Sequence, residues 1–332
     1  MQISNKATFS VSSGHAPSLV SYNGNMYMAW TDTNGHLNIG QVAIDEGGGF
    51  TLIRSITFNE SSTHAPSLMV FNGGLYMAWA GRSGRKVHIA PMIIGPTDEP
   101  ILLGKAVDIY NASPVYVKNT DLGNTAGPVL FTMMDNNTPV ICVIWKNTSD
   151  QLNILKSVDA SRFVGPGDWG SSLIVFVNKN STLGAVTSSY TPGCCSGGNI
   201  VWAHSQTQKL FSGVIALGTG NSLASIYNYN DTIYNYEDEF FNGITSSAPA
   251  IVPKGTKQDA GLFIGWKGEG SDDQLYLVSV YPHAPQPIPP TEAIKLNETS
   301  DHSPALCLLN DAVYMAWATT GSGQLNIGLV TE

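Results

Sequence analysis

The stretch HAPSLVSYNGNMYMAW occupies residues 15–30. It is written again as HAPSLMVFNGGLYMAW at 64–79 and as HSPALCLLNDAVYMAW at 302–317. Each copy opens on histidine, passes an Asn-Gly or Asn-Asp pair, and closes on tryptophan. Two apolar runs separated by a two-residue Asn-Gly break predict a β-hairpin, because both central residues of the tight turn need positive φ. Self-similarity at this spacing predicts a repeat architecture.

Three degenerate copies lie between the clear ones. Their mark is a tryptophan at the end of an apolar run: VICVIW at Trp145, GGNIVW at Trp202 and GLFIGW at Trp266, beside Trp30, Trp79 and Trp317. The anchors are spaced by 49, 66, 57, 64 and 51 residues, and 45 residues separate Trp317 from Trp30 through the two ends. Units of this length match single propeller blades. The runs are apolar on both faces, as strands sandwiched between neighbouring sheets must be. No segment shows a capped 3.6-residue periodicity, so no helix is expected.

The expected fold is therefore all-β: a six-bladed β-propeller of four-stranded antiparallel blades, in one domain over residues 1–332. QLNIGLV at the C-terminal end reads as a third strand, and ATFSV near the start reads as the missing outermost one. The N-terminal strand should thus close the last blade, leaving no free edge. The rival is seven blades, with one more around VDIYNASPVYVKN (107–119).

Composition narrows the function. Only 12% of residues are charged, about half the usual share, and the net charge is −9. No Lys/Arg cluster exceeds GRSGRK at 81–86, so the basic footprint of a nucleic-acid binder is missing. There is no 18-residue apolar run for a membrane span and no visible signal peptide. The expectation is a soluble protein, cytoplasmic or released without such a signal. The cysteines Cys142, Cys194, Cys195 and Cys307 form no CxxC pair and are too few for a disulfide framework. No P-loop, G-x-S-x-G, H-E-x-x-H or helix-opening G-x-G-x-x-G occurs. The acidic run YEDEFF (236–241) reads as a solvated turn before it reads as a calcium site.

In blades of this order the histidine precedes the innermost strand, and the turn after tryptophan lies on the same face. That face should carry His15, His64 and His302, from three units adjacent in a ring. Ala126, Leu183 and Ser247 stand at the equivalent place in the others. The histidines either bond the next blade, contact a ligand, or hold a metal; equivalent atoms on adjacent blades are far apart for a shared ion of about 2 Å reach, so no metal or other cofactor is assigned. Trp30, Trp79 and Trp317 either pack between blades, with their N–H on a carbonyl, or offer a stacking face to a sugar. Candidate polar groups in the turns are Asp32, Arg82 and Arg85, with Asn34, Asn147, Asp150, Gln206, Glu269 and Asp272. Asn38, Asn153 and Asn326 recur in LNI, with His88 at the same place, and are expected to bond an adjacent blade.

The tandem pattern PSL…NG.LYMAW.G…LNI resembles β-propeller repeat proteins of the lectin and sialidase-like kind, over essentially the whole chain. A sialidase would imply three arginines on a carboxylate, a tyrosine nucleophile and an acid/base carboxylate. The chain has only four arginines, Arg54, Arg82, Arg85 and Arg162, and lacks the S-x-D-x-G-x-x-W box. Six-bladed fungal fucose-binding lectins would imply sugar sites between successive blades. The architecture matches, while the repeated Arg/Glu pair does not. The function expected is a carbohydrate-binding lectin with repeated glycan sites on one face, its partners glycans or glycoconjugates. The alternative is a propeller enzyme, a glycosidase, lyase or small-molecule isomerase or cyclase, using a central pocket lined by His15, His64 and His302.

Overall fold

The structure, a computed structural model, describes residues 1–82, 87–96, 101–104, 106–108, 127–135, 138–146, 152–157, 173–176, 185–187, 197–203, 208, 210–216, 225–227, 245, 247–255, 261–280 and 293–331. Every regular element among them is a β-strand. None is a helix long and apolar enough to cross a membrane.

The strands form six antiparallel sheets among the described residues. Strand β1 (Gln2–Ser12) belongs to none of the first five. The first sheet holds β2 (Ser18–Tyr22), β3 (Asn25–Thr31), β4 (His36–Ile44) and β5 (Phe50–Ser61), in that order. The second holds β6 (Ser67–Phe71), β7 (Gly74–Ala80) and β8 (Val87–Ile94); β9 (Ile101–Leu103) and β10 (Val107–Asp108) both pair with β8. The third runs β11 (Val129–Asp135), β12 (Thr138–Lys146), β13 (Leu152–Ser157), β14 (Leu173–Phe176), and the fourth β15 (Ala185–Thr187), β16 (Gly197–Ala203), β17 (Leu210–Ala216), β18 (Ser225–Tyr227). The fifth runs β19 (Ala250–Pro253), β20 (Leu262–Lys267), β21 (Gln274–Val280), β22 (Ile294–Thr299). In the sixth, β23 (Ala305–Leu309), β24 (Ala312–Ala318) and β25 (Gln324–Thr331) are joined by β1 as the outermost strand. Most of the segment suspected of a further blade, 109–119, lies outside the described residues, as does the acidic run 236–241.

The hairpins form as the Asn-Gly pairs dictate. Asn23-Gly24 has φ of 49° and 74°, Asn72-Gly73 47° and 76°, and Asn310-Asp311 51° and 59°. Two successive left-handed residues make the turn whose twist matches the strands it joins. The pairings Tyr22↔Asn25, Phe71↔Gly74 and Leu309↔Ala312 close each loop at two residues and fix the register of the two strands it connects.

The core lies between sheets. Trp30 packs with Ala305, Cys307 and Leu325 of the sixth sheet, Trp79 with Leu37 and Ile39 of the first, and Trp145 with Met69, Phe71 and Val87 of the second. Trp266 joins Val201, Ala203 and Leu210 of the fourth, and Trp317 joins Leu275 and Leu277 of the fifth. Each of these tryptophans therefore fills the gap to the sheet before its own. Strands of the second position are buried on both faces, β20 at every residue, because both faces meet another sheet. The side chain of Trp202 is not among those described.

Across the sheet, the partner of each tryptophan is the residue at the LNI position. Trp30 faces Asn38, Trp79 faces His88, Trp266 faces Tyr276 and Trp317 faces Asn326. Where that partner is a ring it stacks, at 5.2 Å between centroids for Trp79 and His88 and 5.6 Å for Trp266 and Tyr276. Where it is asparagine, the amide bonds within its own sheet. Asn38 Oδ1 accepts from Thr57 Oγ1 at 2.5 Å and Asn326 Oδ1 from Thr8 Oγ1 at 2.6 Å, both on the outermost strand. The expected bond to an adjacent blade is thus corrected: the pleat points this side chain along the sheet, towards the fourth strand. One tryptophan also departs from expectation, since the Trp145 N–H is buried without a hydrogen-bond partner among the described residues.

Replacing Trp79 by alanine should cost about 3–5 kcal/mol, the usual toll of a large aromatic removed from a core, and Trp79→Phe clearly less. Urea unfolding of the two variants checks this.

Candidate functional site

Four connections between sheets share one local design. The residue two before the histidine, or before Ser247 in the fifth unit, is a fully buried hydroxyl: Ser13, Ser62, Thr245 and Ser300 are 3, 2, 0 and 0% exposed. Its own N–H donates to a turn of the preceding sheet, Ser13 to the Gly323 carbonyl (2.8 Å), Ser62 to Gly35 (2.8 Å), Thr245 to Gln208 (2.8 Å) and Ser300 to Asp273 (2.7 Å). Its hydroxyl accepts from the N–H two residues on, at 3.1 Å in all four, from His15, His64, Ser247 and His302. Such a side chain takes up backbone donors that burial would otherwise orphan. The same bonds put the histidine and the turn after tryptophan on one face.

These latches bring the histidines of three successive sheets into a row. The His15 ring lies between the other two, its centroid 5.7 Å from that of His302 and 6.1 Å from that of His64, tilted 40° on one side and stacked at 21° on the other. His302 Nε2 donates to the Gly14 carbonyl at 2.9 Å, which bonds the sixth sheet to the first. His64 is more deeply set, 7% exposed; its Nδ1 meets Thr63 Oγ1 at 2.8 Å and its carbonyl accepts from Thr31 Oγ1 of the first sheet at 2.8 Å. His15 differs from both. Neither of its ring nitrogens has a hydrogen-bond partner among the described residues, and the ring is only half-buried.

Electrostatics keep this central ring neutral. Burial, and then the two flanking imidazoles, push His15 down from 6.5 to about 4. Burial also lowers His302, against the Gly14 carbonyl and the Asp301 carboxylate, which favour its charged form, while the Lys267 ammonium disfavours it. Lys267 itself is buried and donates to the carbonyls of Gly268, Gly270 and Asp272 at 3.1, 3.3 and 3.4 Å. Among the described residues, no group of three or more His, Cys, Asp or Glu is arranged to hold a metal ion.

The other candidates fall elsewhere. Trp30, Trp79 and Trp317 are 2, 2 and 5% exposed, inside the cores between sheets, with no ring face left open. Asp32 is consumed by its own turn: Oδ1 accepts from the N–H of Asn34 (2.8 Å) and of His36 (2.9 Å), and Oδ2 lies 3.3 Å from His36 Nδ1. Arg82 reaches across to the Asn34 carbonyl at 2.9 Å, on the exposed rim. Arg85, Arg162, Asn147, Asp150 and Gln206 lie outside the described residues. Arg54 is on β5, held by Gln41 Oε1 and the Gly95 carbonyl at 3.4 and 3.2 Å. In the fifth sheet Asp272 accepts from Tyr276 OH at 2.6 Å and pairs with Lys295 at 3.6 Å. That bond lowers the Asp272 pKa, while burial and the carboxylate raise that of Tyr276.

Sequence reasoning missed the buried hydroxyl two residues before each histidine. Its signal was present: SSGH, SSTH and TSDH at the three clear repeats and ITSS (244–247) at the fifth unit.

No protein-family model matches the sequence, and no curated protein does. Solved structures are similar in fold. A Trypanosoma rangeli sialidase has a TM-score of 0.60 at 11% identity, over 99% of this chain and 58% of its own, so the chain spans little more than half of that enzyme. The SapL1 lectin, solved with alpha methyl fucoside, has a TM-score of 0.58 at 9% identity over 97% and 94%. The fucose-specific lectin of Aleuria aurantia has 0.54 at 10% identity over 97% and 96%. The resemblance to lectin- and sialidase-like propellers holds at the level of fold.

The depressed His15 has a defined effect on stability. The native state holds this ring neutral and the unfolded chain does not, so the unfolded state binds more protons between the two pKa values. The contribution of this group to stability is complete above pH 6.5 and is lost as pH falls from 6.5 towards 4. Solvent screening at this half-buried position reduces the loss to on the order of 1–2 kcal/mol. Thermal unfolding at pH 7 and 4.5 should show a smaller acid loss in His15→Gln than in the unaltered protein.

Proposed function

We propose that the protein is a carbohydrate-binding β-propeller, one domain over residues 1–332, whose six sheets are the blades of a closed ring. The ring reading rests on contacts between innermost strands, which run β2 to β6, β11, β15, β19, β23 and back to β2. The pairing of β1 with β25 brings the two ends of the chain into one blade.

The observation that carries the functional reading is His15, a neutral imidazole with neither ring nitrogen partnered among the described residues, set on a rim between two further imidazoles. A neutral imidazole presents one donor and one acceptor, the complement of a sugar hydroxyl. The low charge of the chain suits a neutral polar ligand. The lectin neighbours add the precedent of this fold binding a fucoside. The sugar sites of this chain are on the face of the histidine row, with glycans or glycoconjugates as partners; several weak repeated sites would act together by avidity.

The sialidase-type set that the resemblance implies does not come together among the described residues, which favours binding, although the three histidines of the enzyme alternative do stand side by side. Arg54 and Arg82 are held by separate carbonyls on separate parts of the molecule. The hydroxyl of Tyr276 is held protonated, and so is not an activated nucleophile.

A glycan array at pH 7 tests this reading. The unaltered protein should bind a defined set of neutral glycans, and His15→Gln should bind the same set at least about tenfold more weakly, the loss of one to two hydrogen bonds. A blank array, or a variant that binds undiminished, would sink it.

A further inference from the structure

Seven Asn-x-Ser/Thr sequons occur in the chain, and two of them, at Asn59 and Asn297, fall on described residues. Read with the residue that follows, these two are one tetrapeptide written twice, NESS at 59–62 and NETS at 297–300. The last serine of each, Ser62 or Ser300, is the latch hydroxyl that accepts from a histidine N–H. Both copies therefore stand at the same place in their sheets.

That place is a bulge in the outermost strand. The pairs His36↔Ser61 and Asn38↔Thr57 leave Leu37 of β4 opposite residues 58–60 of β5. The pairs Gln274↔Thr299 and Tyr276↔Lys295 leave Leu275 of β21 opposite residues 296–298 of β22. In the sixth sheet Ser12↔Gln324 and Thr8↔Asn326 leave Leu325 of β25 opposite residues 9–11 of β1. The fifth, sixth and first sheets thus share one device, at one distance from the latch. Its first residue is a buried apolar anchor: Phe9, Phe58 and Leu296 are 7, 8 and 4% exposed. With the anchor turned in, the next residue is turned out, and Ser10, Asn59 and Asn297 are all exposed. Bulges re-aim side chains in this way.

We propose that Asn59 and Asn297 are acceptor sites for N-linked oligosaccharide. The donor is a lipid-diphosphate-linked oligosaccharide. The amide Nδ2 forms a bond to its anomeric carbon and gives up one proton. The bond from that carbon to the diphosphate oxygen breaks, and the lipid diphosphate leaves. Ser61 or Thr299 supplies the hydroxyl that completes each sequon. An attached glycan is bulky and must lie in solvent. Both asparagines meet that demand, each directed away from the core beside a buried anchor, on the outermost strand of its sheet. The glycan there stands next to a sheet edge, where pairing with another chain would begin. A chain modified here folds in a compartment that holds the lipid-linked donor. These sites are independent of the sugar-binding reading, which concerns the face of the histidine row.

The test is secretion of the full chain from cultured animal cells behind a cleavable leader, then enzymatic release of N-glycans in oxygen-18 water. Release turns each glycosylated asparagine into a labelled aspartate, which peptide mass spectrometry reads site by site. Asn59 and Asn297 should each carry the label in most of the folded, secreted protein. Ser61→Ala should remove the label from Asn59 alone, and Thr299→Ala from Asn297 alone. Ser10→Asn completes Asn-Val-Ser at the third bulge and should add a label at that position. The melting temperature should be no lower before glycan release than after it. Either asparagine left unlabelled, a label that survives loss of its hydroxyl, a Ser10→Asn chain with no label at residue 10, or a glycan that lowers the melting temperature would overturn the proposal.

Discussion

A sheet that must bury both faces cannot be stabilised by its own segment of chain. That constraint governs this molecule. The second strand of each repeat is mainly apolar, and a tryptophan near its end fills the gap to the preceding sheet wherever its side chain is described. Five described tryptophans do this, each against a different neighbour. Stability therefore resides between repeats more than within them. The sequence similarity between repeats has the same origin, because each sheet must fit both the one before and the one after.

The polar residues at the rim obey a second rule, the satisfaction of buried backbone groups. The chain crosses from one sheet to the next through a short segment that has no strand partner. Ser13, Ser62, Thr245 and Ser300 provide one, each taking an N–H two residues on while its own N–H reaches back. The histidine row is a by-product of this geometry: the latch fixes the backbone of the residue two positions later, and in three adjacent units that residue is histidine. In the fifth unit Ser247 stands at the end of the same latch. So the latch forms with or without histidine, and the side chain there can take on other work, as His302 does on the Gly14 carbonyl.

The strands, hairpins and core tryptophans were legible because each rests on local chemistry: Asn-Gly demands a tight turn, and a two-faced apolar strand demands neighbours. The approach of His15 to His302 and His64 was legible in part, since like positions on adjacent sheets share a face, but the spacing of about 6 Å comes from how closely the sheets pack. The asparagine of LNI was misread as a link between blades. Its partner, Thr57 or Thr8, belongs to the fourth strand, the most variable in length and sequence, so no repeated signal marked it. Asp32 looked like a ligand group because the sequence does not reveal that a carboxylate is consumed by the turn it starts.

The pairing of β1 with β25 has a consequence in time. Gln2 is paired with Thr331, and Thr8 with Asn326. Lys6 also reaches Glu298 on β22, at 2.8 Å. A contact between such distant residues is among the costliest in loop entropy and the slowest to form. On the ribosome the chain emerges in N- to C-terminal order, so β1 appears before the five intervening sheets and β25 after them. Strand β1 is thus made before the strand it pairs with and placed only after it, and until then the outer edge of β25 stays open.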